Sequence, residues 1–187
     1  MKIIKILNSI ALPFMVITLP LIFVVHISNA KTKTAELEPK NGAFEIGYKK
    51  LDRTQALKEF FKKYNSPLID SADTFVRVAD QYGLDYRLLP SIACMESGCA
   101  KFYIKETHNP FGWGGGYIKF DSYDEAIENV GKGLNDIYLS RGLTTPELIA
   151  PVYTPPNHRN WLNGVTYFTN QIEDISMSSA DLAGVYR

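Results

Sequence analysis

Between Ile92 and Phe102 the chain reads IACMESGCAKF, a single carboxylate, Glu96, set between Cys94 and Cys99 where an apolar run stops at a glycine. A charge there could be solvated, ion-paired or catalytic. Glu96 follows Ile92 by four residues and Leu88 by eight, so helical spacing places it with the buried face. It also falls in the last turn before Gly98, where unpaired carbonyls present partial negative charge. Burial and that dipole end both disfavour the ionised form. The pKa should therefore rise, as a general acid working near neutral pH requires.

The cysteines flanking Glu96 admit two readings. A zinc site would need histidine ligands, and His26, His108 and His158 stand in no ligand-like spacing, so no metal and no cofactor is expected. Two cysteines five apart cannot be bridged within a continuous helix, but a turn at Gly98 in an oxidising compartment could join them. Two packed thiols is the reading placed slightly ahead.

Downstream, THNPFGWGGGYIKF supplies material for a cleft: Asn109, Phe111, Trp113 and Tyr117 among five glycines and prolines. Aromatic rings in such a loop can stack on a ligand's flat face, and Asn109 can both donate to and accept from an acetamido or hydroxyl group. The competing expectation is that Phe111 and Trp113 fill the core beneath the loop.

The elements that must position these residues are helical. TQALKEFFKKY sets Leu57, Phe60, Phe61 and Tyr64 at helical spacing, and DSADTFVRVADQYG does the same for Ala72, Phe75, Val76 and Ala79 before Gly83. Asp85 is a candidate N-cap for the helix of Glu96, with Pro90 kinking or restarting it. Ser122 and Glu125 have capping-box spacing, and Thr145 with Pro146 marks another helix start. WLNGVTYFTNQIEDI closes the pattern. Strand alternation is never sustained, so the expected class is all-α.

Of 187 residues, 45% are hydrophobic, enough for one domain with appendages. Lys2 and Lys5 precede twenty-two uncharged residues, Ile6 to Ile27, ending in Ser28-Asn29-Ala30. Residues 1–30 therefore read as a membrane anchor or a cleaved signal, and either outcome exports the rest of the chain. Residues 31–50 read as a flexible linker, 51–176 as the helical domain and 177–187 as a frayed tail. From Pro67 to Arg187 there are nine Lys/Arg against fifteen Asp/Glu, an acidic balance that argues against nucleic acid as a partner.

The ordered set Glu96-Ser97-Gly98, Asn109-Pro110-Phe111-Gly112-Trp113-Gly114, FDSYDEAI, then Tyr153 and Trp161 resembles the lysozyme-like superfamily of bacterial wall-cleaving enzymes, nearest its glucosaminidase-type and lytic-transglycosylase-type domains. The resemblance spans about residues 66–175 and implies a lysozyme-like helical fold acting on peptidoglycan glycan strands outside the cytoplasmic membrane. It implies that Glu96 is the catalytic acid and that Tyr153 sits near the scissile bond. It also implies that the Asn-x-Phe-Gly element lines the glycan groove. Ser97, Asn109, Phe111, Trp113 and Tyr117 are the expected substrate-binding residues. No second acid stands out, so a one-glutamate mechanism assisted by the substrate's own acetamido or hydroxyl group is expected. The alternative is a glycan-binding or scaffold module that kept the groove and lost turnover.

Overall fold

In the computed structural model, which describes residues 42–182, glycine and proline punctuate six α-helices: α1 Gly42–Lys63, α2 Ala72–Tyr82, α3 Leu88–Ser97, α4 Tyr123–Ile137, α5 Pro146–Tyr153 and α6 His158–Leu182. Short 3-10 turns fill most of the joints, and no strand occurs among the described residues. The all-α expectation therefore holds.

Two expected boundaries move. α1 begins at Gly42, inside the stretch read as a flexible linker, and α6 runs to Leu182, past the start of the expected tail. After Pro39 no proline interrupts the chain until Pro67, and the cost of Gly47 in a helix, about 1 kcal/mol, is too small to stop one already propagating. The expected anchor or signal, residues 1–30, lies outside the described residues. Among the described residues no helix is long and apolar enough to cross a membrane.

Helix ends follow local chemistry. Gly83 and Gly98 stop α2 and α3 in the left-handed region, φ +67° and +60°, where a side chain would be strained. Ser122 caps α4 by accepting the Glu125 N–H at 3.2 Å, while the Glu125 carboxylate reaches back past the cap to the Asp121 N–H. Asp85 does not cap α3 directly. Its carboxylate accepts the Arg87 N–H at 2.9 Å and its carbonyl the Leu88 N–H at 2.9 Å, folding the turn that leads into the helix. Pro90 is the third residue of α3, where a missing N–H costs nothing. Thr145 precedes α5 without a side-chain cap, and Pro146 supplies the start.

α6 is the central post, packed against α1, α3 and α5, while α2 lies against α4. The core between them centres on Phe60, Phe61, Phe75, Ile92, Ile127 and Ile172, all fully buried. Glycines permit the closest approaches. A Cβ on Gly131 of α4 would collide with Val78 of α2, and one on Gly164 of α6 with Met95 of α3. The second approach matters for the site, because it draws the first half of α6 onto the last turn of α3.

Candidate active site

Four helix ends and one loop converge on Glu96. It sits in the last turn of α3, with Trp161 in the first turn of α6, Tyr153 closing α5 and Tyr138 just after α4. The indole Nε1–H of Trp161 donates to Glu96 Oε1 at 2.9 Å. The Tyr153 ring lies on Trp161 with centroids 4.8 Å apart, and Tyr138 lies 6.1 Å from Tyr153. The result is an acid held by an indole and walled by two phenols.

An open cleft of about 340 Å³ lies over this group, lined by Glu96, Phe111, Trp113 with its flanking glycines, Tyr138, Tyr153 and Thr154. Glu96 is exposed to the cleft rather than packed in the core, a correction to the helical-spacing expectation. Leu88 and Ile92 on the same face of α3 are buried, and the groove opens one turn further on, at Glu96. The surrounding bulk still withholds water from the carboxyl. Desolvation raises its pKa above the ordinary glutamate range, and the Trp161 N–H, which favours the ionised form, offsets this only in part. Burial first, then the nearby Glu96 charge, pushes the Tyr153 phenol well above its usual range, so it remains a neutral O–H donor.

A second cavity, of about 230 Å³, lies at the other end of α3 between Asp85, Leu88, the 144–147 turn and Thr166, Thr169 and Asn170. Its carboxylates are engaged. Burial works to raise the Asp85 pKa, but the Arg87 guanidinium at 2.6 Å and the Arg87 N–H outweigh it and hold the carboxyl below the usual range. The Glu147 carboxyl is held below its usual range too, by Thr145 first. The Glu96 cleft, by contrast, opens onto a carboxyl whose pKa is raised.

The other expected site residues divide. Trp113 and Phe111 line the cleft, but Phe111 is 1% exposed and packs towards Phe75, so it is a core residue forming part of the cleft wall. Ser97 is not a substrate contact. It is buried, its hydroxyl donating to the Ala93 carbonyl at 2.8 Å and accepting the Ala100 N–H at 2.9 Å. Asn109 is likewise turned inward. Its Nδ2 donates to the carbonyls of Trp113 and Ile118 at 2.8 and 3.2 Å, and its Oδ1 accepts the Trp113 N–H at 3.0 Å. Both its amide hydrogens and its oxygen go into folding the loop that presents Trp113. Tyr117 is 81% exposed and lies outside the cleft lining. Asn109→Ala should therefore cost about 2 kcal/mol, because it strands three part-buried backbone partners. Thermal denaturation checks this, and an unchanged melting temperature would contradict it.

Tyr138 and Thr154 line the cleft without having been singled out as site residues in the sequence, and Trp161, expected on a helix face and among the residues that carry the resemblance, is the donor to Glu96. One signal was available: a glycine within α4. A Cβ on Gly133 would fall 2.5 Å from the Trp113 ring, so this glycine makes room for the loop's indole.

Cys94 and Cys99 are joined in a disulfide, which overturns the packed-thiol reading. Gly98, Cys99 and Ala100 all take φ +60°, reversing the chain after α3 so that Cys99 returns to Cys94. For Cys99 and Ala100 that conformation costs about 1–2 kcal/mol each. The bridge, the Ser97 hydroxyl and a hydrogen bond from Ser66 Oγ to the Cys99 carbonyl at 2.9 Å hold it. Because the closed loop is short, replacing both cysteines by alanine should cost only about 2 kcal/mol. The larger effect should be on Glu96, whose turn loses its lock. A paired measurement of the melting temperature and of the Glu96 pKa in the double variant tests this. An unchanged pKa would show that the bridge does not position the carboxyl.

No protein-family model matches the chain, and no curated protein matches it.

Proposed function

We propose that this protein is an exported enzyme that cleaves the N-acetylated glycan backbone of peptidoglycan, with a lysozyme-like helical domain and Glu96 as its general acid. The observation that carries the reading is the state of Glu96: a carboxyl with a raised pKa, oriented by the Trp161 N–H and opening into an aromatic-walled cleft. Trp113 offers a face for a sugar ring, and the neutral Tyr153 hydroxyl can donate near the reacting oxygen.

Glu96 is the one carboxylate among the residues lining the cleft. A two-carboxylate mechanism needs the second group across the scissile bond, about 5–9.5 Å from the first. The reaction that fits has Glu96 protonate the glycosidic oxygen while the substrate's own acetamido or hydroxyl group attacks the anomeric carbon. Glu96, now ionised, then accepts a proton from the incoming water or from the sugar's primary hydroxyl. The first course is hydrolysis by a glucosaminidase and the second is lytic transglycosylation. Glycan strands outside the cytoplasmic membrane are the proposed partner, reached after export by the N-terminal segment.

Digestion of isolated sacculi with the purified protein, with mass spectrometry of the released fragments, tests the reading. Fragments with new reducing or anhydro ends are expected. Binding to sacculi without release of any fragment would instead establish a glycan-binding module, the reading that the lone carboxylate also admits.

A further inference from the structure

The two loops beside the cleft carry a composition that neither the core nor the catalytic group uses. Phe102 is 77% exposed, Tyr117 81%, Ile104 46% and Ile118 42%, the exposed large apolar side chains that lie in loops among the described residues. Their neighbours Lys105 and Lys119 are exposed and form no ion pair among the described residues. Residues 101–119 hold three lysines and one glutamate, in a domain whose charge balance is otherwise acidic.

Hydrogen bonds tie residues 107–109, just after the first loop, to residues 118–120 of the second, and Thr107 back to Ile104. The Phe120 N–H donates to the Thr107 carbonyl at 2.9 Å, Asn109 Nδ2 to the Ile118 carbonyl, and the Thr107 hydroxyl to the Ile104 carbonyl at 2.6 Å. Tyr103, between Phe102 and Ile104, turns inward to bond Tyr123 at 2.7 Å, which leaves its two neighbours facing outward. Phe102 and Ile118 are each propped against a glycine. A Cβ on Gly98 would fall 2.8 Å from the Phe102 ring, and one on Gly114 would collide with Ile118. These side chains are thus supported in exposed positions rather than left trailing in solvent.

We infer that the paired loops 101–105 and 117–119 form a docking surface for an anionic lipid bilayer. Aromatic rings and isoleucines enter the headgroup boundary, while the lysines meet its negative charge. A sugar chain has use for Tyr117 or Phe102 as a stacking plane but none for two exposed isoleucines, so lipid is the partner the composition favours over glycan. The chain also contains the uncharged run Ile6–Ile27, a segment suited to bringing the domain to such a surface. Gly114 lines the cleft and Gly98 lies two residues from Glu96, so docking would hold the cleft mouth beside the headgroups.

The test uses the full chain in vesicles of phosphatidylcholine with or without phosphatidylglycerol. An environment-sensitive fluorophore is placed through Tyr117→Cys and, as a control on α4, through Lys132→Cys. With phosphatidylglycerol present, the dye at position 117 should shift to the blue and be quenched by brominated lipid, while the dye at 132 should do neither. Lys105→Glu with Lys119→Glu should lower the quenching about tenfold, and high salt should weaken it. Equal quenching at both positions, or equal signals with and without phosphatidylglycerol, would overturn the inference. So would Phe102→Ser with Ile118→Ser leaving the lipid signal intact while weakening binding to chitooligosaccharides, since the loops would then be a glycan platform. None of these readouts depends on wall cleavage, so the inference and the proposed activity stand or fall separately.

Discussion

Replacing Glu96 by glutamine is expected to lower wall cleavage by about 10²–10⁴-fold while leaving the domain folded, because glutamine keeps the shape and the acceptor for Trp161 but cannot give up a proton. The same variant should carry a signature in stability. The folded-state pKa of Glu96 is raised, so the native state holds its proton more tightly than the unfolded chain does. Wild-type stability is therefore fully retained below the unfolded value. It declines as pH rises from there through the folded value, then levels off. Glutamine does not titrate. The melting-temperature advantage of Glu96→Gln should be absent in acid, grow across that window and reach a plateau above it. Thermal denaturation across pH measures this directly. A difference that is constant with pH would mean the carboxyl is not perturbed, and full turnover by the variant would remove Glu96 from the mechanism.

Substitution at Trp161 should have the largest effect on stability within the site. The ring is 3% exposed, stacks on Tyr153 and bonds Glu96, so Trp161→Ala should cost about 4 kcal/mol through the cavity alone. Trp161→Phe separates packing from chemistry, since it retains most of the apolar volume and deletes the N–H. That N–H favours the carboxylate, so its loss should move the Glu96 pKa further up. Cleavage by Trp161→Phe should then persist to higher pH than in the wild type, with a maximal rate about tenfold lower because the acid is less well aimed. A pH–rate profile gives both quantities. An alkaline limb that stays in place would show that the indole only packs.

The helical class and most helix ends were legible in the sequence because they depend on neighbours a few residues apart. Gly83 and Gly98 close their helices where only a left-handed residue can, and Ser122 caps α4 at the spacing a first-turn N–H demands. Glu96 was legible for the same reason, a charge ending an apolar run at a glycine. What one helix could not reveal was the direction in which its last turn opens. The spacing that placed Glu96 with Ile92 and Leu88 is correct for the helix, but those two are buried while Glu96 opens to the cleft.

Only the tertiary structure decided which polar groups were free to meet a ligand. Asn109 and Ser97 have the right chemistry for a substrate, yet backbone groups of their own loops, buried at Ser97 and part-buried at Asn109, take up their hydrogen bonds. An unpaired buried amide costs more than a solvated side chain gains, so the loop's own folding claims these residues first. The bridge between Cys94 and Cys99 likewise depends on three successive left-handed residues, two of which no local preference selects. Trp161 and Tyr153 come from α6 and α5, which pack together with α3, and Tyr138 comes from the end of α4 to lie against Tyr153. Spacing along a chain fixes which side chains share a face of one helix. Which faces meet is settled by burying them all at once, and in this protein that packing is what surrounds one carboxyl with aromatic walls.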